Sequence, residues 1–425
     1  MILCLLLPTL SAGAQERVRL DECIRRALEN NYSLKITRND EKKASNDVNY
    51  SPFLPSLNGT GSQNQNVYQT EQVASDLHTD RRNVQDQYAA GVQLQWTLFD
   101  GFAMFADHSR VKEFLQVGEL RTKWAVESLI VQVSELYYAV IVEQSKLQAA
   151  AHTLSLSNDR YTEARDKYNL GILSGLEMQQ ARIDLNADSS SYMRQREYLK
   201  SAYIALNKSM TENLQDTGYV NDTITLLQPL TLPVLEERTV ADNTQLHIAR
   251  RQTRISELDL KIARSALFPS LNFNTGYNYS RTESPASSVS LNQYHGPYWG
   301  FSVRVPLFNK LDTNRKIRNA KLDIENSMLS YKDAELQLMG DLAQLYNTYE
   351  NNLRIVEFEN VSAEVAFENL DAALQKYKIG SLSGIEFREF QRSYIDAVNR
   401  KLSAIYQAKV SELSLLLISG GITPM

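Results

Sequence analysis

The residues best placed to do chemistry in this chain occur twice. Lys167-Tyr168-Asn169-Leu170-Gly171-Ile172-Leu173-Ser174-Gly175-Leu176-Glu177 returns as Lys376-Tyr377-Lys378-Ile379-Gly380-Ser381-Leu382-Ser383-Gly384-Ile385-Glu386, 209 positions later (376 − 167). Gly171 and Gly380 are placed to end a helix in the left-handed region. Ser174 with Glu177, and Ser383 with Glu386, have the spacing at which a hydroxyl and a carboxylate cap each other's backbone N–H groups and start a new helix. Such a turn is the exposed end of a rod, where a partner can dock. The candidate docking residues are therefore Gly171, Ile172, Leu173, Ser174 and Gly175 in the first copy, and Gly380, Ser381, Leu382, Ser383 and Gly384 in the second. Glu389, one turn past Glu386, adds a further carboxylate, whose plain reading is a solvated charge balanced by Arg388 and Arg392. Tyr168 and Tyr377, just before each turn, suit coiled-coil packing first and hydroxyl contacts second.

Little else in the sequence resembles a reactive centre. The five histidines, His78, His108, His152, His247 and His295, are scattered, with no i, i+4 pair and no cysteine cluster to complete a metal site. There is no phosphate-binding glycine loop, nucleophile elbow or dinucleotide fingerprint. No enzyme activity, metal or cofactor is expected. A formal net charge of -5 gives no basic excess, which sets nucleic acid aside. Cys4 and Cys23 are the only cysteines; Cys23 reads as a small buried residue of the first helix.

The elements that position the turns are duplicated too. Phe53-Leu54-Pro55-Ser56-Leu57-Asn58 recurs as Leu267-Phe268-Pro269-Ser270-Leu271-Asn272, and Leu98-Phe99 recurs as Leu307-Phe308. Each half reads as a helix of about 30 residues, a strand, a polar loop, a second strand, a very long helix, the turn, and a closing helix. The long helices carry heptads: Val133, Val140, Leu147, Leu154, Tyr161 and Tyr168, then Leu342, Tyr349, Val356, Ala363, Leu370 and Tyr377. That repeat commits them to a left-handed supercoil. At 1.5 Å per residue, residues 102–168 form a rod of roughly 100 Å.

The expected strands, about 56–65, 88–98, 270–280 and 298–308, alternate apolar and polar residues. Leu271, Phe273, Thr275, Tyr277 and Tyr279 face one way; Asn272, Asn274, Gly276, Asn278 and Ser280 face the other. Val92, Leu94, Trp96 and Leu98, and Phe301, Val303, Val305 and Leu307, continue the pattern. About nine to eleven such residues span a bilayer. Trp96, Phe273, Tyr277, Tyr279, Trp299 and Phe301 are the candidate lipid-facing aromatics. Tyr294, Tyr298 and Trp299 are expected at a strand end, in an interfacial girdle. Asn66–Gln87 and Arg281–Gly296 read as long polar loops. An ordinary half-buried sheet fits the periodicity equally well; the loops favour the bilayer. Four strands do not close a barrel, so the sheet must be shared between chains.

The sequence divides into 1–14, a signal peptide ending at Ala12-Gly13-Ala14 with Gln15 as the mature start; 15–210, the first repeat; 211–235, a linker with Pro229, Pro233 and room for one strand at Thr223–Leu226; 236–419, the second repeat; and 420–425, a short tail. No later segment is expected to reach the length of a transmembrane helix.

This duplicated order of helix, strand pair, long helix, turn and helix resembles the TolC family of outer-membrane factors over nearly the whole mature chain. The turn is similar to the family's Tyr-x-x-Gly-x-x-[Ser/Thr] helix tip at Tyr168, Gly171, Ser174 and at Tyr377, Gly380, Ser383. Gly175, Gly384 and Leu382 depart from the commonest form. The resemblance implies an α+β membrane protein in which three chains build a twelve-stranded barrel and a coiled α-barrel. It implies a passive exit duct of an efflux pump or type I secretion system in the outer membrane of a Gram-negative bacterium, extending into the periplasm. The implied partners are a homotrimer, outer-membrane lipid, a periplasmic adaptor and an inner-membrane RND, ABC or MFS transporter. It also places Tyr168, Glu177, Tyr377, Glu386 and Glu389 at a periplasmic constriction. The competing class is an exported trimeric coiled-coil adhesin or the adaptor itself.

Overall fold

The computed structural model describes residues 19–74, 77–218, 220, 222–228, 231–285 and 289–422. The expected signal peptide 1–14, Cys4, the mature start at Gln15, Pro229 and residues 423–425 of the tail lie outside the described residues. In chain order the elements are α1 (Leu20–Asn30), α2 (Tyr32–Asp47), β1 (Ser56–Ala74), β2 (Leu77–Phe99), α3 (Ala103–Asn169), α4 (Gly175–Met210), α5 (Leu232–Asp242), α6 (Thr244–Ser265), β3 (Ser270–Glu283), β4 (Leu291–Arg304), α7 (Asp312–Lys378) and α8 (Gly384–Ile418). Two units result: the described residues within 1–40, 120–247 and 332–425 form a helical unit, and those within 41–119 and 248–331 form a strand-bearing unit.

In the helical unit each long helix buries large side chains in the core. Tyr137 in the first repeat and Tyr349 in the second are 1% and 2% exposed. Tyr137 packs with Val133, Val140, Cys23 and Leu206; Tyr349 packs with Leu342, Leu235 and Leu415. Each fully buried side chain of this size stabilises the unit by about 1.5–3 kcal/mol. One 18-residue window of α3 is long and apolar enough to cross a membrane, with mean hydropathy 1.5, which the sequence reading did not expect. It is 56% buried within the chain, as a core helix is.

The helix of about 30 residues expected at the start of each half is two helices. Asn31 (ψ 123°) and Asn243 (ψ 119°) leave the helical region between them. Each asparagine replaces the lost backbone bonds with its own side chain. The Asn31 Oδ1 accepts from the Leu34 N–H at 3.1 Å, and its Nδ2 donates to the Ser209 carbonyl at 2.9 Å. Asn243 Oδ1 accepts from Gln245 and Leu246, and its Nδ2 donates to the Ile418 carbonyl at 2.9 Å. Both asparagines therefore satisfy a carbonyl at the end of their own repeat's last helix, a group a helix leaves without an internal partner.

The segment between the repeats is shorter than expected, because α5 starts at Leu232 with Thr231 as its N-cap and Pro233 in its first turn, where a missing N–H costs nothing. Thr223–Leu226 forms no strand. Side chains hold this stretch instead: Lys409 Nζ donates to the Thr225 carbonyl at 2.9 Å, the Leu227 N–H donates to Glu412 at 2.9 Å, and the Tyr349 hydroxyl donates to the Leu227 carbonyl.

The strand-bearing unit holds one antiparallel sheet in the order β1-β2-β3-β4. The polar segments read as loops are largely paired strand. Partners run out to Ala74↔Leu77 in the first hairpin and to Glu283↔Leu291 in the second. Amide and hydroxyl side chains on both faces made these stretches look like loops, yet a hairpin ladder needs only backbone groups and a solvated surface. β2 pairs β3 no further than Asp86↔Glu283, so the first hairpin continues beyond the second as a two-stranded ribbon. β4 stops at Arg304; Leu307 and Phe308, expected in the strand, are 91% and 78% exposed in the connection to α7. Leu98 leaves the alternation because the register shifts between Thr97 and Phe99.

Candidate functional site

Both helix tips are built by local sequence alone. Gly171 (φ +71°) and Gly380 (φ +77°) sit in the left-handed region, which costs any residue with a Cβ about 1–2 kcal/mol. The Gly171 N–H donates to the Tyr168 carbonyl and the Ile172 N–H to the Lys167 carbonyl; Gly380 and Ser381 repeat these bonds with Tyr377 and Lys376. This is the Schellman closure. The capping boxes then open α4 and α8: Ser174 Oγ accepts from the Glu177 N–H and Ser383 Oγ from the Glu386 N–H, each at 3.2 Å. The reciprocal bonds run from Ser174 and Ser383 N–H to the carboxylates at 3.3 and 2.9 Å. The Ser383 N–H and then its hydroxyl hold the Glu386 carboxyl below the usual range.

The second glycine of each turn sits against a tyrosine ring with room for ordinary contact. A Cβ on Gly175 would lie 3.4 Å from the Tyr168 ring, and one on Gly384 3.8 Å from the Tyr377 ring. Each tyrosine folds over its own turn. Tyr377 also stacks on Phe387, with ring centroids 5.2 Å apart, whereas Tyr168 stays 45% exposed. Ile172, Leu176, Ile379 and Ile385 are between 70% and 81% exposed, so both tips present bare apolar side chains. Leu173 and Leu382 are half-buried, and Leu382 packs with Phe387 and Leu370. Lys167 Nζ lies 5.9 Å from the Tyr377 ring, which brings the two tips of one chain side by side. Glu177, Glu386 and Glu389 are exposed.

Behind the tips lies a polar cluster that sequence reasoning missed. Arg388 reaches Asp188 on α4 with two hydrogen bonds, of 2.6 and 2.7 Å, rather than balancing Glu389 as its position suggested. Arg160 on α3 pairs with Asp184 on α4 and donates to the Gly384 carbonyl at 3.2 Å. Ser157 donates to Asp188, and Gln391 donates to Ser157 Oγ at 2.9 Å and to the Thr153 carbonyl at 3.0 Å. Ser157, Arg160, Asp184 and Gln391 are all buried. Three helices are thus tied by charge-assisted hydrogen bonds. A legible signal did exist: Thr153, Ser157, Arg160 and Ala164 share the three-and-four spacing of a heptad seam. The apolar series Leu147, Leu154, Tyr161, Tyr168 drew attention away from it, although those four are only half-buried or exposed here.

In the strand unit, cross-strand partners share a face. Trp96, Phe273 and Phe301 form one row; Leu94, Thr275 and Trp299 the next; Val92, Tyr277 and Pro297 the third; Ala90, Tyr279 and His295 the fourth. Trp299 is 73%, Phe301 61% and Tyr277 49% exposed, so this face lacks a partner among the described residues. Trp96 is tethered: its Nε1 donates to the Phe53 carbonyl at 2.9 Å. Tyr294 and Tyr298 belong to the opposite face, beside the amides, and lie inside β4 rather than at its end. Their even spacing from Gly296, Gly300 and Ser302 fixes that side.

With this geometry in view, the outer membrane efflux protein family matches residues 23–212 and 237–421. The chain belongs to that family. The outer membrane efflux protein is similar to a probable outer membrane lipoprotein, SilC, of Salmonella typhimurium, at 22% identity over 95% of this chain and 86% of the relative. It is 23% identical to the cation efflux system protein CusC of Escherichia coli O157:H7, over 94% and 85%. In fold it matches the crystal structure of the Campylobacter jejuni CmeC outer membrane channel, with TM-score 0.77 and 16% identity over 95% of this chain and 85% of that one. The fold class is α+β membrane protein, with long coiled helical hairpins and four strands per chain. The protein is a passive outer-membrane efflux channel, not an enzyme, and its place is the outer membrane of a Gram-negative bacterium, reaching into the periplasm. The adhesin and adaptor alternatives fall away.

Proposed function

We propose that three copies of this outer membrane efflux protein form an exit duct whose strands line a pore through lipid and whose helix tips meet a periplasmic adaptor fed by an inner-membrane transporter. The open sheet carries this reading. Among the described residues β1 and β4 each have one unpaired edge, and in lipid an open edge leaves N–H and C=O groups unsatisfied at several kcal/mol each. Closure between copies removes both edges, and twelve strands leave a polar lumen on the face of Asn274, Gly276 and Asn278. The four apolar rows from Phe273 to Tyr279 then face lipid. Closure by three copies, rather than two, rests on the TolC resemblance.

At the helix tips, the exposed Ile172, Leu176, Ile379 and Ile385 add apolar contacts to the adaptor-docking turns 171–175 and 380–384. The exposed carboxylates Glu386 and Glu389 line the constriction and make the resting pore prefer cations. Single-channel recording in planar bilayers tests this: Glu386→Gln with Glu389→Gln should lower cation selectivity and weaken block by trivalent cations. Unchanged selectivity and block would take both carboxylates out of the pore.

A further inference from the structure

The face of the sheet turned away from the aromatic rows holds an arrangement that a merely wet wall does not require. On it, Gln95, Asn274 and Gly300 share one level, Gln93, Gly276 and Tyr298 the next, and Gly91, Asn278 and Gly296 the third. Tyr298 lies across Gly276: a Cβ there would fall 2.8 Å from the Tyr298 Oη, 2.9 Å from its ring, and against the Val92 carbonyl. Asn278 lies over Gly91 in the same way, its Oδ1 2.7 Å from where a Cβ would stand. Gly296 and Gly300 flank Tyr298 along β4, and a Cβ on either would meet nothing within 4 Å. The result is a trough with a half-buried aromatic floor, bare on both sides along its strand and edged by the amides of Asn274, Asn278 and Gln93.

Glycine inside a strand weakens it and marks a bulge or the close approach of another molecule. β3 and β4 pair without a register shift from Ser270↔Arg304 to Glu283↔Leu291, so Gly296 and Gly300 serve no bulge, and neither has a positive φ. Clearance beside the Tyr298 ring is what they provide. The chemistry around it selects what can approach. On this face every side chain is uncharged from Ser56 to Asn66, Gln85 to Gln95, Asn272 to Thr282 and Asn292 to Ser302, so an ionic cargo finds no counter-charge. Among the described residues, the amides of Gln93, Asn274 and Asn278 make no hydrogen bond, unlike Asn272, which accepts from Thr97. An amide offers donor and acceptor together, as a hydroxyl does. An aromatic face carries a negative quadrupole that suits the C–H side of a sugar ring.

The geometry points to a sugar-binding trough in the lumen: one pyranose ring of an uncharged oligosaccharide stacks on Tyr298 between Gly296 and Gly300, with its hydroxyls on Asn274, Asn278 and Gln93. Tyr294, on the same face of β4 and 61% exposed, gives the oligosaccharide a second contact about 13 Å away. The inference rests on the pore proposed above and gives its cargo a class, hydroxyl-rich and uncharged.

Single-channel recording on the intact oligomer, with a linear glucose oligomer on both sides of a planar bilayer, tests this. The current should show resolved blocks whose frequency rises with sugar concentration. Polyethylene glycol of the same size, which lacks a stacking face, should give none. Tyr298→Phe should keep the blocks, and Tyr298→Ala should shorten them about tenfold. Gly300→Val, which fills the clearance and disturbs no packing, should shorten them as well. Blocks of unchanged length in both of the last two variants, or no blocks in the parent channel, would overturn the trough and leave the pore standing. Blocks by tetraethylammonium and not by the sugar would overturn the cargo class. Oligomers that conduct no current in any state would overturn the pore itself.

Discussion

The two helical hairpins have almost the same turn and opposite interiors. In α3–α4, Ser157 meets Asp188 by a hydrogen bond; 209 residues on, in α7–α8, Ala366 and Ala397 meet by apolar packing. Arg160 and Asp184 correspond to Asn369 and Ser393, and Arg388 and Gln391 to Gln179 and Arg182. The turn depends on residues within a few positions of one another, so duplication preserved both its sequence and its form. The interior depends on what lies across the groove, where the copies diverged into a polar side and an apolar side. The polar residues of the first hairpin are completed by Arg388 and Gln391 from the second. The cluster therefore joins the hairpins to each other, which two apolar copies could do without choosing a register.

The largest test of this contrast is Asp188→Ala, which copies the second repeat into the first. It strands the half-buried Arg388 guanidinium and should cost about 3 kcal/mol or more, seen as a lowered midpoint in detergent melting. Adding Arg388→Gln, the residue of the first repeat at that position, should recover most of it. If Asp188→Ala melts like the parent, the cluster is not a joint.

The paired asparagines come next. Removing Asn243, 1% exposed, takes a cap and leaves the Ile418 carbonyl without its partner, for about 1–2 kcal/mol. Asn31→Ala should cost less, because Asn31 is only half-buried and water can replace it. Equal melting shifts for the two would mean that burial does not set the difference.

Of similar size, Gly171→Val and Gly380→Val should each cost about 1–2 kcal/mol by the same left-handed strain. Oligomers should persist in both while efflux fails. A clear inequality in their melting would show that the turns lean on their surroundings.

The smallest effect belongs to the caps. The Glu386 carboxyl is held below its usual range by the Ser383 N–H and hydroxyl. Its contribution is therefore present above the ordinary carboxylate range and is lost as pH falls through the lowered value. Glu386→Gln should flatten that acid dependence, followed by the chemical shift of the Ser383 amide. Dependence unchanged in the variant would assign it to another group.

The sequence by itself determined the duplicated order of elements, both tips, and the alternation that fixes the faces of β2, β3 and β4. Each of these is local: a glycine in the left-handed region, a serine three residues before a glutamate, or side chains alternating with period two need no distant partner. The hairpin ribbons misled, because amides along Asn66–Gln87 satisfy a loop or a solvated ladder equally well, and only the pairing decides. Tertiary structure alone decided that Asn31 and Asn243 break their helices, since each break is stabilised by a carbonyl far along the chain. It also decided that Arg388 turns from Glu389 to Asp188. Glu389 is the next residue in sequence, but which carboxylate Arg388 takes depends on where burial removes water, and that is a property of the packed helices.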